Sequence, residues 1–181
     1  MTMLDTPTLL VDPTTERSRV PSQRLADRPA TLDGMVFGFR EFWAGFDRYT
    51  AAFEQVLRSN YQLRDVKRAD GMQPRSGSVL TRWEQFTREV DVAISGLGGC
   101  GGCSPWAAMD SCELESRGVA TVTLVTPELL GLAKRTAEGK GYDLRYVLLP
   151  QTLDDLDDAG MAALVRDTYG DIVDALTRPL A

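Results

Sequence analysis

The sequence predicts an α/β fold: one three-layer domain whose doubly wound, mostly parallel sheet has an extended N-terminal arm. Three observations carry this. Short apolar, β-branched stretches alternate with stretches of helical period over nearly the whole chain, the pattern of a parallel sheet covered on both faces. Five such strands are legible, a number and spacing that suit a flavodoxin-like order 2-1-3-4-5. At 181 residues, 43% hydrophobic and 25% charged, the chain is long enough for one well-packed domain and short for two.

In order, residues 1–33 are punctuated by Pro7, Pro13, Pro21 and Pro29 and read as an arm, over this chain's surface or a neighbouring subunit's. Residues 34–181 form the α/β domain. Met35–Phe39 follows Asp33-Gly34 and is the first buried strand. Phe46–Ser59 has apolar residues at 46, 49, 53, 56 and 57, the helical period. Leu63–Val66 is a weak second strand, and Asp70–Ser78, rich in Gly, Pro and Ser, is a loop. Val79–Arg88 is helical, with Leu80, Trp83 and Phe86 or Thr87 on one side. The third strand is Val90–Ser95.

Next come Gly96-Leu97-Gly98-Gly99-Cys100-Gly101-Gly102-Cys103 and then Ser104-Pro105-Trp106. Ser104 reads as an N-cap and Pro105 as the first residue of a helix to Ser116, stopped at Gly118. Val119–Val125 is a buried strand, Pro127–Lys140 a helix ended by Gly139-Lys140-Gly141, and Tyr142–Leu149 the last strand. Asp158–Thr177 is an amphipathic helix behind the acidic Asp154-Asp155-Leu156-Asp157-Asp158, a solvated turn with charges suited to a helix start.

A net charge of −6 argues against nucleic acid or an anionic membrane as partner. No apolar run approaches the roughly 20 residues of a membrane span. The N-terminus has no basic region followed by an apolar block, so no signal peptide is expected. Three cysteines do not make a secreted disulfide scaffold, and a cytoplasmic, reducing location fits better. The chain contains no histidine. That removes imidazole acid–base catalysis, His-based triads and His metal ligands.

In doubly wound sheets ligands sit beyond the carboxyl ends of the strands, near the point where strand order reverses. The cysteine bend falls there, at the positive end of a helix, where unpaired N–H groups favour a thiolate. Cys100 is the candidate nucleophile and Cys103 the resolving thiol, near enough across the bend to form a disulfide. The bend's glycines leave its backbone free to adopt positive φ and to approach a ligand closely. Gly98, Gly99, Gly101 and Gly102 are candidate substrate-binding positions through their N–H groups, suited to a carboxylate or oxyanion.

Ser95, Ser104 and Trp106 are candidate pocket walls, Trp106 equally a packing residue. Asp110 is a candidate substrate contact. Asp110 and Glu113 share a helix stripe with Arg117, which equally describes a charged outer face with an i,i+4 pair. A four-sulfur zinc site needs another cysteine pair, and Cys112 is a rise of roughly 13 Å beyond Cys103 on a helix. Cys112 reads as core. No metal and no cofactor are expected.

The stretch from Gly96 to Val122, with Cys100-Gly-Gly-Cys103-Ser-Pro-Trp106, Asp110, Glu115 and Gly118, resembles the UGSC family, named for a selenocysteine-Gly-Ser-Cys motif after a strand. The likeness runs from Leu9-Leu10-Val11-Asp12-Pro13 to Tyr146–Pro150 and is densest over 94–126. The same motif is similar to the selenoprotein B subunit of glycine reductase. The resemblance implies a reductive role in which position 100 attacks an activated atom and position 103 helps release the adduct. Cys100 stands where the namesake has selenocysteine, a stronger nucleophile, and Gly102 where it has serine. Met109 and Gln151 lie in regions where relatives are expected to carry histidine, which implies a homo- or hetero-oligomer in which a similar subunit completes the site.

The leading expectation is a thiol-dependent oxidoreductase acting on a small electrophilic, carboxylate-bearing molecule. Two alternatives stand beside it: a non-catalytic or half-site subunit of a heteromeric complex, and a cofactor-independent racemase or lyase of the Asp/Glu racemase type. The last uses two cysteines from distant parts of a chain, whereas one bend supplies both here.

Overall fold

A computed structural model describes residues 21–70, 77–150 and 152–179. The predicted arm up to residue 20, most of the predicted 70–78 loop and Gln151 lie outside them. Among the described residues five strands form one sheet, β1 (Val36–Glu41), β2 (Asp65–Ala69), β3 (Val92–Gly98), β4 (Ala120–Val125) and β5 (Tyr146–Leu148). All neighbours are parallel and the order is β2-β1-β3-β4-β5. The helices are α1 (Phe46–Asn60), α2 (Gly77–Glu89), α3 (Cys103–Ser116), α4 (Leu130–Glu138) and α5 (Asp158–Thr177). None of the described helices is long and apolar enough to cross a membrane.

Alternation along the strands assigns the two faces. Phe37, Phe39, Val92, Ile94, Val122 and Leu124 point to the side covered by α1 and α5, where they meet Phe46, Phe53, Ile172 and Leu176. Val36 and Ala93 point the other way, toward Trp83 and Phe86 of α2 and Leu114 of α3. The α3 helix lies between α2 and α4 against β3 and β4 and buries residues on several sides, among them Ala107, Ala108, Asp110, Cys112 and Glu115. A helix enclosed in this way shows no single apolar stripe.

Boundaries differ from the sequence expectation where tertiary pairing overrides local composition. The second strand is Asp65–Ala69 rather than Leu63–Val66, because β2 is an edge strand and its charged Lys67 and Arg68 still ladder onto Gly38 and Phe39. The third runs on to Gly98, since Gly98 pairs with Val125 and Gly96 accepts the Phe42 N–H. Tyr142 and Leu144 pack beneath α4 instead of extending β5. Pro127–Leu129 is a 3-10 turn ahead of α4.

Residues 21–33 of the predicted arm lie along this same domain. Ser22 and Gln23 both donate to the Gly141 carbonyl, and Ala26 and Leu32 are buried. The anchor is Glu115, which accepts from the Ala26 N–H at 2.7 Å, the Thr121 N–H at 2.8 Å and the Arg28 guanidinium at 2.8 and 3.0 Å. Both charged side chains are fully buried. Each carboxylate oxygen thus has donors, as burial of an ion pair requires.

Candidate functional site

Parallel strands bring every carboxyl end to one edge of the sheet, and the chain leaves β3 there into the bend that carries Cys100 and Cys103. The two cysteines are joined as a disulfide, their Cα atoms 5.0 Å apart. Cys100 is half-buried, Cys103 is 5% exposed, and Gly101 and Gly102 between them are exposed. Of the two cysteines, Cys100 is therefore the more exposed.

The helix-start expectation needs correction. Ser104 does not cap α3; it lies inside the helix, fully buried, and its hydroxyl donates to the Leu129 carbonyl at 3.1 Å. The cap position is held by Gly102, with no side-chain capping bond. Cys100 stands two residues ahead of it: its carbonyl accepts the Ser104 N–H at 3.0 Å, and its sulfur accepts the N–H of Cys103, the first residue of the helix, at 3.0 Å. The sulfur thus meets a helix amide at the positive end of a 14-residue helix.

The glycines also act differently from expectation. Positive φ occurs at Gly34, Gly45, Gly77, Gly118 and Gly141 and at no glycine of the bend. Close packing is what the inner ones provide. A Cβ at Gly98 would lie 2.8 Å from Val125 Cγ1 and 3.0 Å from Ser104 Cα, and one at Gly99 would lie 3.0 Å from Trp43 Cε2. At Gly101 and Gly102 a Cβ would meet nothing within 4 Å. Gly98→Ala is therefore expected to lose about 1–3 kcal/mol of stability by overpacking. Gly102→Ser, the change toward the namesake motif, is expected to stay within about 0.5 kcal/mol. Urea unfolding of the two variants side by side measures the contrast.

The remaining candidates are placed as follows. Trp106 is half-buried on the first turn of α3, its N–H bonded to the Gly102 carbonyl at 3.3 Å. Ser95 is fully buried and donates to the Ala107 carbonyl at 3.3 Å. Asp110, expected at the substrate, is instead turned to the sheet, where Arg40 Nε donates to its carboxylate at 2.6 Å with both side chains buried. Seven residues of helix separate it from Cys103, a rise of roughly 10 Å. Glu113 and Arg117 form the i,i+4 surface pair at 2.9 Å.

Cys112 is core, packed with Ala108, Ala133, Ala137 and Tyr142. Burial pushes its thiol up to about 12 from an ordinary value of 9.0. A raised folded-state pKa contributes stability that is intact below pH 9 and is lost as pH climbs toward 12. Cys112→Ala is expected to flatten the fall in stability over that window, the wild-type term being about 1.4 kcal/mol at pH 10. Chemical unfolding of both proteins at pH 8 and pH 10 tests the sign.

Residues that sequence reasoning missed surround the bend. Trp43, on the loop after β1, lies against Gly99. Glu41, at the end of β1, bonds Thr50 and Arg68, and burial lifts its carboxyl above the ordinary range despite those partners. Thr126, at the end of β4, donates its N–H to the Gly98 carbonyl at 3.3 Å, while its buried hydroxyl has no partner among the described residues. The available signal was Arg40-Glu41-Phe42-Trp43: two charges ending an apolar strand, then two aromatics, beside the reversal of strand order.

A search of curated proteins finds no match to the chain. A family model described as the UGSC family matches residues 9–178. That description fits a cysteine-containing member of a selenocysteine- or cysteine-bearing, redox-related group, and with the match spanning nearly its full length the chain belongs to the UGSC family.

Proposed function

We propose that the protein is a thiol-dependent reductase-like enzyme that acts on a small electrophilic, carboxylate-bearing molecule through Cys100 and Cys103. The observation that carries this reading is the place of the outer sulfur: the half-buried Cys100 sulfur accepts the Cys103 N–H at 3.0 Å at the start of α3. When the pair is reduced, that N–H and the helix dipole stabilise the Cys100 thiolate over the thiol. The open N–H groups of Gly101 and Gly102 beside it suit a substrate carboxylate.

The chemistry balances in two steps. The Cys100 thiolate attacks the electrophilic atom of the substrate, forming a sulfur–substrate bond and expelling a leaving group with its electron pair. The Cys103 thiolate then attacks the Cys100 sulfur, forming the disulfide and releasing the substrate fragment with the bonding pair; water supplies its proton. The substrate gains two electrons and the dithiol loses them, and an external dithiol reductant restores the pair. With no histidine in the chain, neither step relies on imidazole. The likeness of the motif to the selenoprotein B subunit of glycine reductase supports the reductive direction.

The test is alkylation of the reduced protein by iodoacetate and iodoacetamide across pH. Cys100 is expected to react with a midpoint below the ordinary value of about 8.5. Iodoacetate is expected to be favoured over iodoacetamide relative to free cysteine. A midpoint near 8.5 overturns the activated thiolate; an unaltered reagent ratio overturns the carboxylate preference.

A further inference from the structure

We infer that Trp43 is the positioning residue of the dithiol, the wall against which the cysteine bend is held. The inference rests on the reading of Cys100 and Cys103 as a redox pair and adds the group that governs it. Trp43 stands 57 positions before Cys100 in the sequence, yet the fold sets its ring on the residue next to that cysteine. An added Cβ on Gly99 would lie 3.0, 3.1 and 3.3 Å from Cε2, Cζ2 and Cδ2 of the indole. A side chain at 99 would therefore press on the ring, which would have to give by a few tenths of an ångström.

The loop that presents the indole is fixed at several points. The Phe42 N–H donates to the Gly96 carbonyl at 3.3 Å, tying the start of the loop to β3. The Trp43 carbonyl accepts the Phe46 N–H at 3.1 Å, tying it to the first turn of α1. Gly45 has φ +71, and Asp154 of the segment before α5 occupies the place of its missing Cβ. That conformation and that contact both require glycine.

On the other flank of the bend, Gly98 abuts Ser104 Cα with no room for a methyl group. Cys100 follows directly from a dipeptide that lies between the Trp43 indole and the first turn of α3. On this reading that wedge holds the Cys100 sulfur on the Cys103 amide. The indole therefore sets how the dithiol form compares in free energy with the disulfide, and how readily the thiolate is reached.

The experiment equilibrates the full chain with glutathione buffers, in which the disulfide plus two glutathiones exchanges with the dithiol plus glutathione disulfide. Trapped species are quantified by intact mass, and urea unfolding is recorded for every variant. Trp43→Ala is expected to shift the exchange constant, and the alkylation rate of reduced Cys100, by about fivefold or more. Trp43→Phe is expected to return both to within about twofold of wild type. Gly99→Ala is expected to perturb both in the wild-type background and much less beside Trp43→Ala, where the methyl group has room.

Exchange and alkylation unchanged in Trp43→Ala, whatever happens to stability, would overturn the inference. An equal Gly99→Ala effect with and without the indole would overturn it too. If Trp43→Ala fails to fold, Trp43→Leu takes its place in the same cycle. A wild-type pair that does not exchange with glutathione at all fails the redox reading itself. A cycling wild type with an indifferent Trp43 fails this inference alone.

Discussion

Cys103→Ser is expected to convert turnover into a trap. With the inner sulfur gone, Cys100 still attacks the substrate but nothing displaces the product from it, so an adduct persists on Cys100. Intact mass after incubation with cell extract reads its mass and hence the substrate class. Cys100→Ser is expected to give no adduct and no reductive turnover, because the alkoxide of serine is not formed at neutral pH without an activating base, and the chain has no histidine to act as one. The asymmetry follows from placement: Cys100 is half-buried at the rim and Cys103 is 5% exposed behind it. Adducts forming equally on Cys103 in the Cys100→Ser variant would reverse the roles.

Asp110→Ala is expected to cost about 3–5 kcal/mol of folding stability, the range for stripping a buried charge of its partner. Arg40 is fully buried, donates to Asp110 at 2.6 Å, and also reaches the carbonyls of Glu41 and Ala69 at 3.2 and 3.3 Å. Its guanidinium carbon stands 4.8 Å from the Phe42 ring centroid and 5.5 Å from that of Trp83. The pair therefore ties the end of β1 to the helix that begins at Cys103. Arg40→Met together with Asp110→Leu is expected to lose far less than the sum of the single losses, since neither charge is then stranded. Urea midpoints of the two singles and the double measure the difference; additive losses would show that the two residues act independently.

These two expectations differ in how far the sequence alone led to them. The cysteine bend was legible because its signal is local: a strand of apolar residues, a glycine-rich bend with two cysteines three apart, and a helix after it. The strand order was legible too, since alternation of strands and helices leaves few topologies open. The bounds of α5, Asp158–Thr177, were read to the residue, because an acidic cap and a long amphipathic period mark them. The core role of Cys112 followed from its helix stripe and its residue type.

Arg40 with Asp110, Arg28 with Glu115, and Trp43 with Gly99 were not legible. Their members are separated by 70, 87 and 56 positions, and periodicity carries no information about which distant side chains meet. Asp110 looked like a surface or substrate carboxylate because a charge on a helix is usually solvated; only the enclosure of α3 between two helices and the sheet turns it inward. Ser104 looked like the cap because serine usually is one, but the helix starts one residue ahead of it, at Cys103, with Gly102 in the cap position. What the sequence settled by itself is therefore the sheet, its order and the presence of two cysteines at its rim. What the tertiary structure decided is which cysteine is the more exposed, which sulfur meets the first helix amide and which side chains hold the bend. The physical reason is that chain-local patterns encode burial and turning, while the partners of a buried charge or a packed ring are fixed only when distant segments close on one another.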